Sequence, residues 1–124
     1  MTDLEFDNLI TRAMNELPKK YIEGLQNVAI IMADAPTVDQ IHKMKLDNQH
    51  LLLGLYEGIP LTSRGAGYNL VLPDKITLFK NAIMTVSGNE IELFEQIKRT
   101  LWHEIAHYYG LDHKRIDELQ QSTR

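Results

Sequence analysis

Leu101-Trp102-His103-Glu104-Ile105-Ala106-His107-Tyr108-Tyr109-Gly110-Leu111-Asp112-His113 is the stretch on which the reading of this chain turns, for it holds the pattern H-E-x-x-H-x-x-G-x-x-H. On an α-helix, residues four apart differ by about 40° around the axis and about 6 Å along it, so His103 and His107 can direct imidazole nitrogens at one ion. Glu104 lies beside the first of them on a neighbouring face, where its carboxylate reaches a water held by the ion rather than the ion itself. His113 could not join them on a continued helix, because ten residues carry it about 15 Å further along the axis. The chain must therefore turn back after Tyr109, and Gly110 is the residue type to which positive φ costs little.

The spacing makes His103, His107 and His113 the expected metal ligands and Glu104 the expected base. There is no cysteine, so thiolate ligation is excluded and zinc would have to be held by His, Asp or Glu. Drawn at random from this composition, H-E-x-x-H would arise in roughly one sequence in 70, and the longer pattern in roughly 3 per 100,000, so the glycine and the third histidine carry the specificity. His42 and His50 are isolated and are read as ordinary surface or packing residues. Trp102, Ile105 and Ala106 form the core side of the helix. Of Tyr108 and Tyr109, one is expected to pack, while the other could reach the site and donate a hydrogen bond to an oxyanion.

Working outward, Ser87 or Asn89 can cap a long helix that begins near Glu90 and Glu92 and runs to about Tyr109. Leu4, Phe6, Leu9, Ile10, Met14 and Leu17 recur at helical spacing before Pro18, predicting a first amphipathic helix. Residues 27–34, 50–58 and 75–80 read as three strands, the last with Thr77 and Phe79 outward. Between them, Pro36 to Asn48 is a polar connection with room for a helical turn, and Thr62 to Asn69 has the small residues of an exposed loop. Asp112 to Gln121 predicts a short last helix. The expected fold class is α+β, a small sheet with helices packed on one side, in a single domain over residues 1–124.

Composition agrees with a globular chain: 44% of residues are hydrophobic and 24% charged. The net charge is −4 with no basic run, which argues against nucleic acid as a partner. The acidic start and the absence of a long apolar run predict no membrane segment and a cytoplasmic location.

With the motif in place, a resemblance can be stated. The pattern resembles that of zincin metallopeptidases. Residues 52–83, with Gly54-Leu55-Tyr56-Glu57-Gly58-Ile59-Pro60-Leu61 and Leu72-Pro73-Asp74-Lys75-Ile76, resemble the small bacterial zincin-like metallopeptidase family. That resemblance implies a minimal zincin fold, a short mixed sheet beside the active-site helix, a bound zinc ion, and a peptide or protein substrate. It also implies an Asp three residues after the glycine, where this chain has His113, so the third ligand looks more like that of metzincins and Asp112 stays a competing ligand. No methionine follows His113, so the methionine turn of metzincins is missing. The expected reaction is peptide hydrolysis by a zinc-bound water that Glu104 activates. The likeness to zincins further suggests that an edge strand, read here as Lys75 to Lys80, pairs with an extended substrate. Two alternatives stand beside it. Gly110-Leu111-Asp112-His113 behind His103 and His107 also resembles the H-x-x-x-H-x-x-G-x-D-H site of an rRNA-maturation endonuclease family, which has glycine where this chain has Glu104. The other is a zincin scaffold that binds zinc without catalysis.

Overall fold

The computed structural model describes residues 1–44, 51–65, 72–111 and 115. Helix α1 (Asp3–Glu16) starts at a reciprocal cap: Glu5 N–H donates to Thr2 Oγ1 at 3.1 Å, and Thr2 N–H donates to the Glu5 carboxylate at 3.0 Å. Its apolar face, Phe6, Ile10 and Ala13, is buried, and Pro18 ends it as expected. A short helix α2 (Lys19–Glu23), which the sequence did not announce, leads to strand β1 (Val28–Ala33). The polar connection after it does hold a helical turn, α3 (Val38–Lys43), capped by Thr37. Strands β2 (Gly54–Glu57) and β3 (Asp74–Phe79) complete the sheet.

The sheet order is β1-β3-β2, with β3 parallel to β1 and antiparallel to β2. The strand read as an edge at Lys75 to Lys80 is therefore the central one, and β1 and β2 are the edges. The outward side chains expected on it are buried as well: Thr77 is 2% exposed and Phe79 0%. A polar residue alternating with apolar ones suggests a solvated face, but a central strand has both faces covered. Ile76 and Leu78 join the main core, while Phe79 packs with Leu55 and Ala82 in a second, smaller cluster.

Helix α4 (Lys80–Thr85) leaves β3 directly and has no side-chain cap to signal it. Lys80 at the end of that strand is 9% exposed, and its ammonium donates to Met1 O and Asp3 Oδ1, each at 2.8 Å. Helix α5 (Glu90–Tyr108) is capped by Asn89, whose Oδ1 accepts from Glu92 N–H at 2.9 Å. Leu93, Phe94, Ile97, Leu101, Trp102 and Ile105 of α5 bury against α1 and the face of the sheet that carries Ile76 and Leu78. Each such side chain contributes about 1.5–3 kcal/mol relative to exposure. The fold is thus α+β, a three-stranded mixed sheet with the long helix laid across it, and no helix among the described residues is long and apolar enough to cross a membrane. The predicted last helix lies outside the described residues, apart from Arg115.

Candidate metal centre

The last two turns of α5 bring His103, Glu104 and His107 together. One ligand atom from each lies within 4.8 Å of the others, the one such group among the described residues. The Nε2 atoms of the two histidines are 3.1 Å apart. Two nitrogens bound at about 2.0–2.1 Å to one tetrahedral zinc sit about 3.3 Å from each other, so the donor pair has the spacing and the chemistry a zinc ion takes. The rings meet edge to face with centroids 4.7 Å apart. Both histidines are half-buried.

Glu104 is more enclosed than its neighbours, at 8% exposure. Its Oε1 accepts a hydrogen bond from Tyr56 N–H at 3.0 Å, and among the described residues it has no ion pair. Burial raises its pKa to about 7, with the Tyr56 amide pulling the other way. The contact exists because β2 turns an edge towards the helix. Leu53 O accepts from Phe79 N–H across the sheet at 2.9 Å, and by the alternation of an antiparallel strand Gly54 and Tyr56 point their backbone groups outward. Gly54 permits the approach: a Cβ there would stand 2.6 Å from Thr100 Cγ2 and 3.3 Å from Glu104 Cγ.

Gly110 does what its position implied. At φ 76° its N–H donates to His107 O at 2.9 Å, and Leu111 N–H donates to Ala106 O at 3.1 Å, the paired closure that ends a helix. A Cβ at Gly110 would also come within 2.4 Å of Thr62 Oγ1 on the turn Leu61–Ser63. His113, the expected third ligand, and its competitor Asp112 lie outside the described residues, as does His50. His42 is exposed at the end of α3, away from this group.

Each of the two tyrosines has a hydrogen-bond partner in the segment after α1. Tyr108 is fully buried and its hydroxyl accepts from Gln26 N–H at 3.0 Å, while Tyr109 donates to Tyr21 O at 2.6 Å. Both hydroxyls are hydrogen-bonded to residues 21–26, Tyr108 as acceptor and Tyr109 as donor, so both tyrosines pack against the segment after α1. The sequence reading also missed a buried cluster nearby. Arg64 Nη2 lies 2.6 Å from Asp74 Oδ2, Tyr56 donates its hydroxyl to the same oxygen, and Arg64 also donates to Ile59 O at 2.9 Å and Gln26 O at 3.0 Å. Burial, then Asp74, pushes the Tyr56 hydroxyl strongly up in pKa. These residues come from three separate segments at no periodic spacing; the Pro73-Asp74 pair before a strand was the one visible cue.

A cleft of about 310 Å³ opens beside the centre, walled by Leu52, Leu53 and Gly54 on one side and Gln96, Arg99, Thr100, His103 and Glu104 on the other. A larger hollow of about 500 Å³ lies between α1 and the start of α5, near Glu5, Arg12, Glu90 and Phe94. It holds no group of metal-binding side chains, so size alone does not locate the chemistry.

Comparison with known proteins agrees with this fold. The sequence model of the zincin-like metallopeptidase family matches residues 25–123. Among solved structures, the chain is similar to a conserved hypothetical protein from Thermus thermophilus, with a TM-score of 0.60 and 22% identity over 88% of this chain and 94% of the other. At that identity the likeness concerns the fold. No curated protein matches the sequence.

Proposed function

The chain belongs to the zincin-like metallopeptidase family, and from that premise we propose that it is a zinc-dependent peptidase in which Glu104 is the general base. His103 and His107 would hold the metal, with His113 the third ligand by sequence and Asp112 its competitor. Bound there, zinc supplies a Lewis acid for the scissile carbonyl and brings the pKa of a water down towards about 7. Glu104 takes the proton of the attacking water and returns it to the leaving amine nitrogen. Its burial supports that role, since a carboxylate drawn up towards neutrality accepts a proton more readily than a solvated one. The outward backbone of Gly54 on β2 is the edge at which an extended substrate would pair, in place of the central strand β3. The observation that carries the reading is the convergence of two imidazole nitrogens 3.1 Å apart with a buried carboxylate one residue on.

The test separates metal from chemistry. Glu104→Gln should retain zinc and lose about 100- to 10,000-fold in peptidase rate. His103→Ala and His107→Ala should lose zinc itself, and His113→Ala should match them while Asp112→Ala does much less. Zinc content and rate measured on the same preparations decide this. Cleavage of structured RNA with no peptide cleaved would overturn the reading, and full activity in Glu104→Gln would remove Glu104 from its role.

A further inference from the structure

The proposed base sits at the end of a side chain free to rotate about several bonds, so something must aim its carboxylate. Glu104 Oε1 accepts from Tyr56 N–H at 3.0 Å, and this is its one hydrogen bond among the described residues. From the same strand Gly54 offers no side chain, and a Cβ there would stand 3.3 Å from Glu104 Cγ. The aim of the carboxylate thus follows the place of the Tyr56 amide. That amide belongs to a strand of four residues at the edge of the sheet, paired only to β3. An edge so short holds an amide still only if it is tied down.

The Tyr56 side chain ties it at two further points. Tyr56 stands opposite Ile76, and Asp74, two residues earlier on β3, lies on the same face within reach of a long side chain. Asp74 Oδ2 accepts the phenol hydrogen and is itself held by Arg64 Nη2 at 2.6 Å. The Tyr56 ring meets the Tyr108 ring edge to face, with centroids 6.2 Å apart, and the Arg64 guanidinium lies over the Tyr108 ring at 5.0 Å. Tyr108 is four residues past Glu104, on the same face of α5. Tyr56 therefore touches that face twice, by its amide at Glu104 and by its ring at Tyr108, and its hydroxyl fastens both contacts to the central strand.

We infer that Tyr56 is a positioning residue for Glu104: its side chain, held by Asp74 and Tyr108, fixes the backbone N–H that binds Oε1 and leaves Oε2 to take the proton. The inference rests on the peptidase reading and deepens it at that same site. Misplacing a reacting group by about 1 Å can cost on the order of 100-fold in rate, which sets the size of effect to look for.

Zinc-loaded wild type is compared with Tyr56→Phe, Tyr108→Phe, Glu104→Gln and the double variant of Tyr56→Phe with Glu104→Gln, on one peptide that the wild type cleaves. Tyr56→Phe keeps ring and amide and loses the bond to Asp74. It should keep its zinc and a KM within about twofold, and lose about ten- to a hundredfold in kcat. Tyr108→Phe removes a hydroxyl bonded to Gln26 from the adjoining ring and should lose stability with kcat within a few-fold. In Glu104→Gln the base is gone, so adding Tyr56→Phe should lower the remaining rate by less than about twofold. Amide hydrogen exchange reads the contact without turnover. Tyr56→Phe should speed exchange at residue 56 by about tenfold or more, while Phe79 N–H, which donates to Leu53 O at 2.9 Å across the same strand pair, keeps its protection. Unchanged kcat, zinc lost from Tyr56→Phe, the same fold loss in both backgrounds, or exchange raised alike at residues 56 and 79 overturns the inference while the peptidase reading stands. A matching loss of kcat and stability in Tyr108→Phe overturns it too, as general loosening. If the wild type cleaves no peptide, the peptidase reading fails and the inference falls with it.

Discussion

Two buried carboxylates touch the same residue of β2, Glu104 at the backbone N–H of Tyr56 and Asp74 at its hydroxyl, and the protein treats them in opposite ways. Asp74, 5% exposed, faces a guanidinium 2.6 Å away and accepts a phenol besides. Glu104, 8% exposed, has one backbone amide and no cation among the described residues. A charge taken from water needs a partner or else shifts its equilibrium towards the neutral form. Asp74 has the partner, and its cluster fastens residues 59–64 to Gln26 and the start of β3. Glu104 shows the shift, to about 7, next to two imidazoles whose nitrogens are spaced for a metal. At nearly the same depth of burial, the two carboxylates thus differ, among the described residues, in the countercharge that Asp74 has and Glu104 does not.

The comparison is broken most forcefully by removing the countercharge that Asp74 has. Arg64→Met leaves a buried carboxylate unpaired and should cost about 3–5 kcal/mol. Adding Asp74→Asn should recover part of that loss, because the remaining groups are then neutral and the Tyr56 hydroxyl keeps an acceptor. Urea unfolding of the two single variants and the double variant measures both numbers. A loss under about 1 kcal/mol for Arg64→Met would mean that water reaches the pair and that it resembles a surface ion pair.

The second prediction concerns the carboxylate that lacks a countercharge, in metal-free protein. Its folded pKa, about 7, lies above that of an unfolded glutamate, so between the two values the folded state binds the proton more tightly. Its contribution to stability is therefore fully present below about pH 4.3, the unfolded value, and is lost as pH rises through about 7. Over that window the loss should amount to about 4 kcal/mol at most. Glu104→Gln carries no such proton, so the difference between wild type and variant isolates this group from the nearby histidines. Unfolding midpoints of chelator-treated protein at about pH 5 and about pH 8 give the result. Parallel pH profiles would mean that Glu104 is solvated and that the contrast with Asp74 is false.

The two carboxylates also differ in how far the sequence revealed them. His103, Glu104 and His107 follow one another at helical spacing, and Gly110 marks the turn, so local geometry brings them together and a reader of the sequence can follow it. Leu4 to Leu17 and the apolar run before Asp34 were legible for the same reason. The Arg64, Asp74 and Tyr56 cluster is assembled by tertiary folding from segments with no shared period, and pattern alone does not reach it. The same limit explains the misplacement of β3. Its own residues, with Lys75 and Lys80 at the ends, suit a guarded edge, and only its insertion between β1 and β2 puts it in the centre. Lys80 then becomes a buried anchor for the start of α1 rather than an exposed guard. Short helices such as α2 and α4 left too little periodicity to be seen, and α4 has no capping side chain.

The smallest predicted effect tests the boundary between the two regions, where Tyr108 and Tyr109 follow His107 directly. Their hydrogen bonds point to a structural role: Tyr108 accepts from Gln26 N–H and Tyr109 donates to Tyr21 O, so each hydroxyl ties the end of α5 to the segment after α1. Tyr109→Phe leaves a half-buried carbonyl that water can still reach and should cost about 0.5–1.5 kcal/mol. Tyr108→Phe deprives a partly buried amide of its acceptor and should cost somewhat more, about 1–3 kcal/mol. Neither should change peptidase rate by more than a few-fold when measured well below the unfolding temperature with zinc present. The decisive pattern is the ratio of the two readouts. Stability lost with rate retained keeps both tyrosines on the structural side, with Asp74. A hundredfold loss of rate at unchanged stability is the size that removing an oxyanion donor produces, and it would give that tyrosine a catalytic role beside the one proposed for Glu104.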